Sequence, residues 1–97
     1  MTELASFTFV RHIDGLCYRF ERDGEHDGRP AYRRTDGKVW CVWSSADGWH
    51  CEDADGLVTA HPFKGRADEP EPPTAVWRSF KADRSYLYDL RPSTPEG

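Results

Sequence analysis

The chain has 97 residues, a net charge of −4, 37% hydrophobic and 13% aromatic residues, and four Trp. Its length fits one domain with a single modest core in which a few large rings remove most of the apolar area from water. The acidic balance argues against general affinity for nucleic-acid backbones, and the longest apolar run, residues 39–43, is far short of the roughly 20 residues a membrane-spanning helix needs.

Basic residues comprise ten Arg and three Lys, and neither Asn nor Gln occurs, so there is no N-glycosylation acceptor. The N-terminal segment Met1-Thr2-Glu3-Leu4 lacks the basic and apolar regions of a signal peptide. The odd set Cys17, Cys41 and Cys51 suits reduced thiols better than a stapled secreted scaffold. Together these features favour a soluble, intracellular chain without a membrane span.

Asp-Gly is the organising signal, at Asp14-Gly15, Asp23-Gly24, Asp27-Gly28, Asp36-Gly37, Asp47-Gly48 and Asp55-Gly56. Type I′ hairpin turns need positive φ at both central positions, which favours this dipeptide. The expected fold is all-β: a small antiparallel meander of about six to eight short strands joined by Asp-Gly turns.

In chain order, a two-residue turn at Asp14-Gly15 sets Ile13 against Leu16, Arg11 against Tyr18 and Phe9 against Phe20. One face then collects Phe7, Phe9, Ile13, Leu16, Tyr18 and Phe20. Residues 23–29 read as a polar link, 31–35 as a strand and 38–44 as a central strand. Apolar on both faces, the central strand is expected to need cover from another sheet layer or from the C-terminal segment.

A three-residue loop ending at Gly48 groups Val39, Cys41, Trp43, Trp49 and Cys51 on one face. It places Cys51 opposite Trp43 and only diagonal to Cys41, which argues against a Cys41–Cys51 bridge. Asp55-Gly56 closes a hairpin to residues 57–63. The charged, Pro-rich stretch 65–73 reads as a spacer. Residues 75–81 resume the domain, and 85–90 form an edge strand or docking tail. The domain is therefore expected over 1–81, with 82–97 as a C-terminal extension or docking tail. Its structural core is expected to be Phe9, Tyr18, Phe20, Tyr32, Trp40, Trp43, Trp49 and Trp77.

Gly28-Arg29-Pro30-Ala31-Tyr32, followed by residues 39–43, Trp49, a Pro-containing loop and Trp77, resembles a Trp-rich β-meander module of large multidomain eukaryotic proteins. The resemblance covers roughly residues 17–78. It implies an all-β interaction module with no agreed catalytic activity, and it implies no site residues.

Candidate chemistry is sparse. Asp53-Ala54-Asp55-Gly56 resembles the start of an EF-hand loop, but the first and twelfth ligand positions would be Cys51 and Pro62, so the ligand set fails. A two-residue turn at Asp55-Gly56 would set His50 against His61 beside Glu52, a partial zinc set without supporting Cys spacing. Cys17 opposite His12 is the minimum for an activated thiol, with no orienting third group. Arg29, Arg33 and Arg34 beside Tyr32 and Trp40 would suit single-stranded nucleic acid, against the net charge. No catalytic residue, metal or cofactor is assigned, and no nucleic acid is expected as a partner. The expected function is a non-catalytic protein-interaction or scaffold module, or small accessory subunit, contacting a protein partner through Tyr86, Leu87, Tyr88 and Leu90. The alternative is a carbohydrate-binding module that uses exposed Trp or Tyr.

Overall fold

A computed structural model describes residues 4–80 and 84–93. It contains eight strands: β1 Ser6–Arg11, β2 Cys17–His26, β3 Arg29–Arg34, β4 Val39–Ser44, β5 Gly48–Asp53, β6 Val58–Pro62, β7 Val76–Ser79 and β8 Leu87–Pro92. Each pairs antiparallel with its sequence neighbour, and β8 returns to β1, so the meander closes into one barrel. Closure leaves no sheet edge exposed.

The all-β, antiparallel expectation holds, and six Asp-Gly pairs do punctuate the strands. Five lie in or beside a connection; Asp23-Gly24 instead forms a bulge that lets β2 run on to His26. The turn that follows is Asp27-Gly28, where both residues have positive φ (51° and 80°). This is the backbone that a tight I′ turn requires.

Faces follow the sequence parity, but pairings differ from it. Phe20 opposes Phe7 and Tyr18 opposes Phe9, two residues away from the expected register. The first loop is longer than a two-residue turn. Arg11 N–H donates to the Leu16 carbonyl, Gly15 N–H donates to that of Arg11, and Asp14 accepts from Leu16 N–H. A shift of two preserves which side chains point inward, so Phe7, Phe9 and Phe20 are buried as expected, while Ile13 and Leu16 stay exposed on the loop.

The second register shifts in the same way. Trp43 opposes Trp49, and Cys41 opposes Cys51 directly rather than diagonally. Both thiols are free and buried.

The core is a column of rings inside the barrel. Phe7 stacks on Phe20 at 5.1 Å, and Phe9 meets Trp77 edge-on at 5.1 Å. Trp49 and Trp77 are fully buried, each contributing about 4–6 kcal/mol by area at most. Tyr32 is also fully buried, and its hydroxyl donates to the Leu4 carbonyl at 2.6 Å. Tyr18 and Trp43 are partly buried against this cluster.

Trp40 departs from the expected core. It alternates with the inward-facing Cys41 and so lies on the outer wall, half-buried, in a shallow groove with Val42, Asp23, Glu25 and Glu52. Among the described residues, the outer face of β4 has no second sheet layer over it, because all eight strands belong to the one closed sheet.

The segment expected to be a docking tail contains β8. This strand pairs with β1 from Phe7↔Pro92 to Arg11↔Tyr88 and with β7 from Val76↔Asp89 to Arg78↔Leu87. The expected domain boundary at 81/82 lies outside the described residues, but the barrel cannot close without residues 87–92.

The two ends of the barrel differ. Residues 63–75, which contain the expected spacer 65–73, fold across one end as a plug. Three indoles hold it: Trp43 Nε1 donates to Asp68 Oδ1, Trp49 Nε1 to the Glu69 carbonyl and Trp77 Nε1 to the Pro73 carbonyl. Trp49 N–H also donates to the Ala67 carbonyl, and Arg29 donates to the carbonyls of Asp68 and Glu69. Ala67 and Pro72 are the buried side chains of the plug. The other end stays open.

Charged side chains such as Arg19, Glu21, Arg33 and Arg91 are exposed along the strands around an apolar interior. A barrel facing lipid has the reverse pattern. Among the described residues, no helix is long and apolar enough to cross a membrane.

Candidate functional site at the open mouth

The open end is built by the loops 12–16, 35–38 and 54–57, together with Phe80 and residues 84–86, above the ring column. Between them lies a cavity of about 820 Å³. Its floor includes Phe9, Phe20, Cys51 and Trp77, and its walls include Tyr18, Tyr86 and Tyr88. This volume lies within the range of small-molecule sites, and barrel mouths are a common place for them.

The rim combines apolar and cationic side chains. Among the described residues, the large hydrophobics that remain exposed gather here: Ile13 and Leu16 on the first loop, Leu57 and Val58 after the Asp55-Gly56 turn, and Phe80 and Leu87 flanking the last loop. Phe63, at the plugged end, is the exception. Leu57 is 64% exposed and Ile13 77%. Apolar groups clustered around a cavity mark a contact surface rather than scattered surface noise.

Arg11, Arg34, Lys38 and Arg84 line the same cavity, against Asp53 as its lining carboxylate. Two of the cations are fixed by the turn chemistry. Asp14 accepts from Arg11 Nε and Nη2 at 2.9 and 2.6 Å, and Asp36 accepts from Arg34 Nε at 3.0 Å. The same aspartates accept Leu16 and Lys38 backbone N–H groups. One Asp in each loop thus shapes the turn and anchors an arginine.

Each anchored guanidinium also covers a tyrosine ring. Arg11 sits 4.5 Å from the centre of Tyr86, and Arg34 sits 4.9 Å from that of Tyr18. The Arg11 hydrogen bonds, helped by Leu16 N–H, hold the Asp14 carboxyl down to about 2. Arg34, then Lys38 N–H, likewise lowers that of Asp36. Lys38 and Arg84 are in no ion pair among the described residues.

Of the residues expected to contact a partner, Tyr86 and Tyr88 line the cavity, Leu87 alternates with them and faces outward at the mouth end of β8, and Leu90 is 4% exposed and belongs to the core. Sequence reading missed Lys38, Leu57, Phe80 and Arg84. The alternation Tyr86, Tyr88, Leu90 was the available signal that this segment is a strand with one face inward.

The other candidate groupings do not assemble. Cys17 opposes Val10, and His12 instead lies 2.8 Å from Asp89. His50 Nε2 does lie 3.9 Å from Glu52, but His50 is buried with Nδ1 against the Gly48 carbonyl, and His61 packs on Phe80 instead. No group of three or more metal-ligating side chains occurs among the described residues. Arg29 covers Trp43 at 3.8 Å, Arg33 pairs with Asp23, Arg34 belongs to the mouth and Tyr32 is interior, so these residues form no common surface.

Comparison with protein-family models, curated proteins and solved structures finds no match. The functional reading therefore rests on the geometry of the closed eight-stranded barrel and its open mouth.

Proposed function

We propose that this chain is a non-catalytic binding module that works through the open mouth of its barrel. One observation carries the proposal: the cavity and nearly all of the exposed large hydrophobic side chains of the described residues share one end of the molecule. The protein-scaffold expectation drew on a free aromatic tail. With residues 87–92 incorporated as β8, the mouth rim takes over as the contact surface, for an assembly partner or a smaller ligand. The resemblance to Trp-rich interaction modules agrees with a binding role. A carbohydrate-binding alternative would draw on Trp40, since Trp49 and Trp77 are buried and Trp43 is covered by Arg29.

A binding role also suits the titratable groups at the rim. The lowered carboxyls of Asp14 and Asp36 remain ionised at neutral pH and serve as anchors for arginine, not as proton donors.

Nile red, an uncharged dye whose emission shifts to the blue in apolar sites, tests this reading. The expected result is saturable binding that weakens at least about tenfold in a Leu57→Asp/Phe80→Asp variant with an unchanged unfolding midpoint. Absence of saturable binding, or an affinity unaffected by the two substitutions, would contradict it.

A further inference from the structure

We infer that the mouth selects a small amphipathic anion: an apolar ring or chain bearing one carboxylate or similar acidic head. This inference rests on the open-mouth reading above and adds the chemical class of the ligand. The lower cavity wall offers mostly apolar surface, through the partly exposed Tyr18, Val39 and Tyr88 above the buried Phe9, Phe20 and Trp77, so the buried part of the ligand must be apolar. The upper wall offers donors. Arg11 and Arg34 are held in place by Asp14 and Asp36 with their side chains only 18% and 22% exposed. A guanidinium has five N–H donors, and each aspartate occupies only part of that set.

Lys38 and Arg84 supply the selectivity. They line the same cavity with no ion-pair partner among the described residues. An anionic head beside either one gains charge-assisted hydrogen bonds without displacing an internal carboxylate. A cationic head would meet four like charges, two of them paired with aspartates, against the single lining carboxylate of Asp53, and a neutral head would leave the donors uncompensated once water is excluded.

The carboxylates at this end separate a small anion from an extended anionic surface. Asp14, Asp36 and Asp55 sit on the turns that form the tips of the open end. A flat anionic surface such as a lipid bilayer would press against them, whereas a small ligand passes between the turns into the cavity.

The test compares three probes with one ring system: 2-naphthoate, 2-naphthalenemethanol and 2-naphthylmethylammonium, titrated calorimetrically against the full chain at low salt. The acid is expected to bind at least about tenfold tighter than the alcohol, and the ammonium weakest. A Lys38→Gln/Arg84→Gln variant is expected to lose at least about fivefold in affinity for the acid while its affinity for the alcohol does not fall. Both positions are solvent-facing, and an unchanged unfolding midpoint shows that the variant folds.

Equal affinities for acid and alcohol, or an acid affinity untouched in the double variant, would overturn the anion preference. If Nile red still bound at the mouth in that case, the open-mouth reading would stand alone. Failure of all three probes to bind up to about 1 mM would also overturn the inference, as would binding to anionic phospholipid vesicles that 2-naphthoate does not compete away.

Discussion

Trp49 donates its indole N–H to the carbonyl of Glu69 at 2.7 Å, and its backbone N–H to the carbonyl of Ala67 at 2.9 Å. One residue of the barrel wall thus holds the plug at two points. The asymmetry of the molecule follows: one end is closed by its own chain, and the other is left open with apolar side chains around it.

Gly48, which precedes Trp49, tests the closeness of that contact. Its φ is +70°, and a Cβ there would lie 2.7 Å from the Ala67 carbonyl oxygen. Gly48→Ala is expected to destabilise the fold by about 2–3 kcal/mol, since strain adds to a backbone clash. Gly37, with φ +75° and open space around it, isolates the strain: Gly37→Ala is expected to cost about 1 kcal/mol. Urea unfolding of both variants gives the comparison, and equal losses would show that the plug does not press on Gly48.

Tyr32 sets an alkaline limit. Burial, with Glu71 adding to it, pushes its hydroxyl up to about 12 from the usual 10. Between these values the folded state retains a proton that the unfolded state has lost. Stability from this group is therefore complete below about pH 10 and falls as pH rises towards 12. Tyr32→Phe is expected to remove that component of the alkaline loss while costing about 1 kcal/mol at neutral pH through the lost bond to Leu4. Unfolding midpoints measured from pH 8 to 12 check both effects.

Asp14 gives the opposite slope at low pH. Its folded value of about 2 lies below the usual 3.8, so its contribution is present above about pH 4 and lost as pH falls through 2. The pair is exposed to solvent, and the effect is expected to be small and to shrink with salt. Asp14→Asn is expected to flatten this part of the acid profile and to free the Arg11 guanidinium, visible as a change in its Nε–H resonance.

The thiols divide by position. Cys41 and Cys51 face each other across β4 and β5, and burial, then the contact with Cys51, raises the Cys41 thiol well above its usual range. Cys17 is exposed on the first loop side. Iodoacetamide is expected to modify Cys17 alone in the folded protein and all three after unfolding. Mass spectrometry of the alkylated chain reads this directly, and rapid labelling of Cys51 would show that the cavity floor opens to solvent.

The β class and the inward faces were legible because side-chain parity survives a register shift of two. Phe9 and Phe20 are buried whether or not they oppose each other. The pairings were not legible, because they depend on loop lengths that hydrogen bonds such as Asp14 to Leu16 N–H decide. The plug was hidden for a different reason. A Pro-rich acidic segment becomes structural here through indoles 20 or more residues away in sequence, at Trp43 and Trp49. At the mouth, Tyr86, Leu87 and Tyr88 were singled out as contact residues for their aromatic and apolar character. Lys38 and Arg84 gave no local signal, since only barrel closure sets their loops around one mouth.

Backbone amide shift mapping during a titration of ¹⁵N-labelled protein with 2-naphthoate tests the open-mouth account most directly. The account predicts that shifts concentrate on residues 12–16, 35–38, 54–60 and 84–88, with the plug at 63–75 undisturbed. Shifts centred on the plug or on the outer groove at Trp40, with the mouth loops silent, would contradict it.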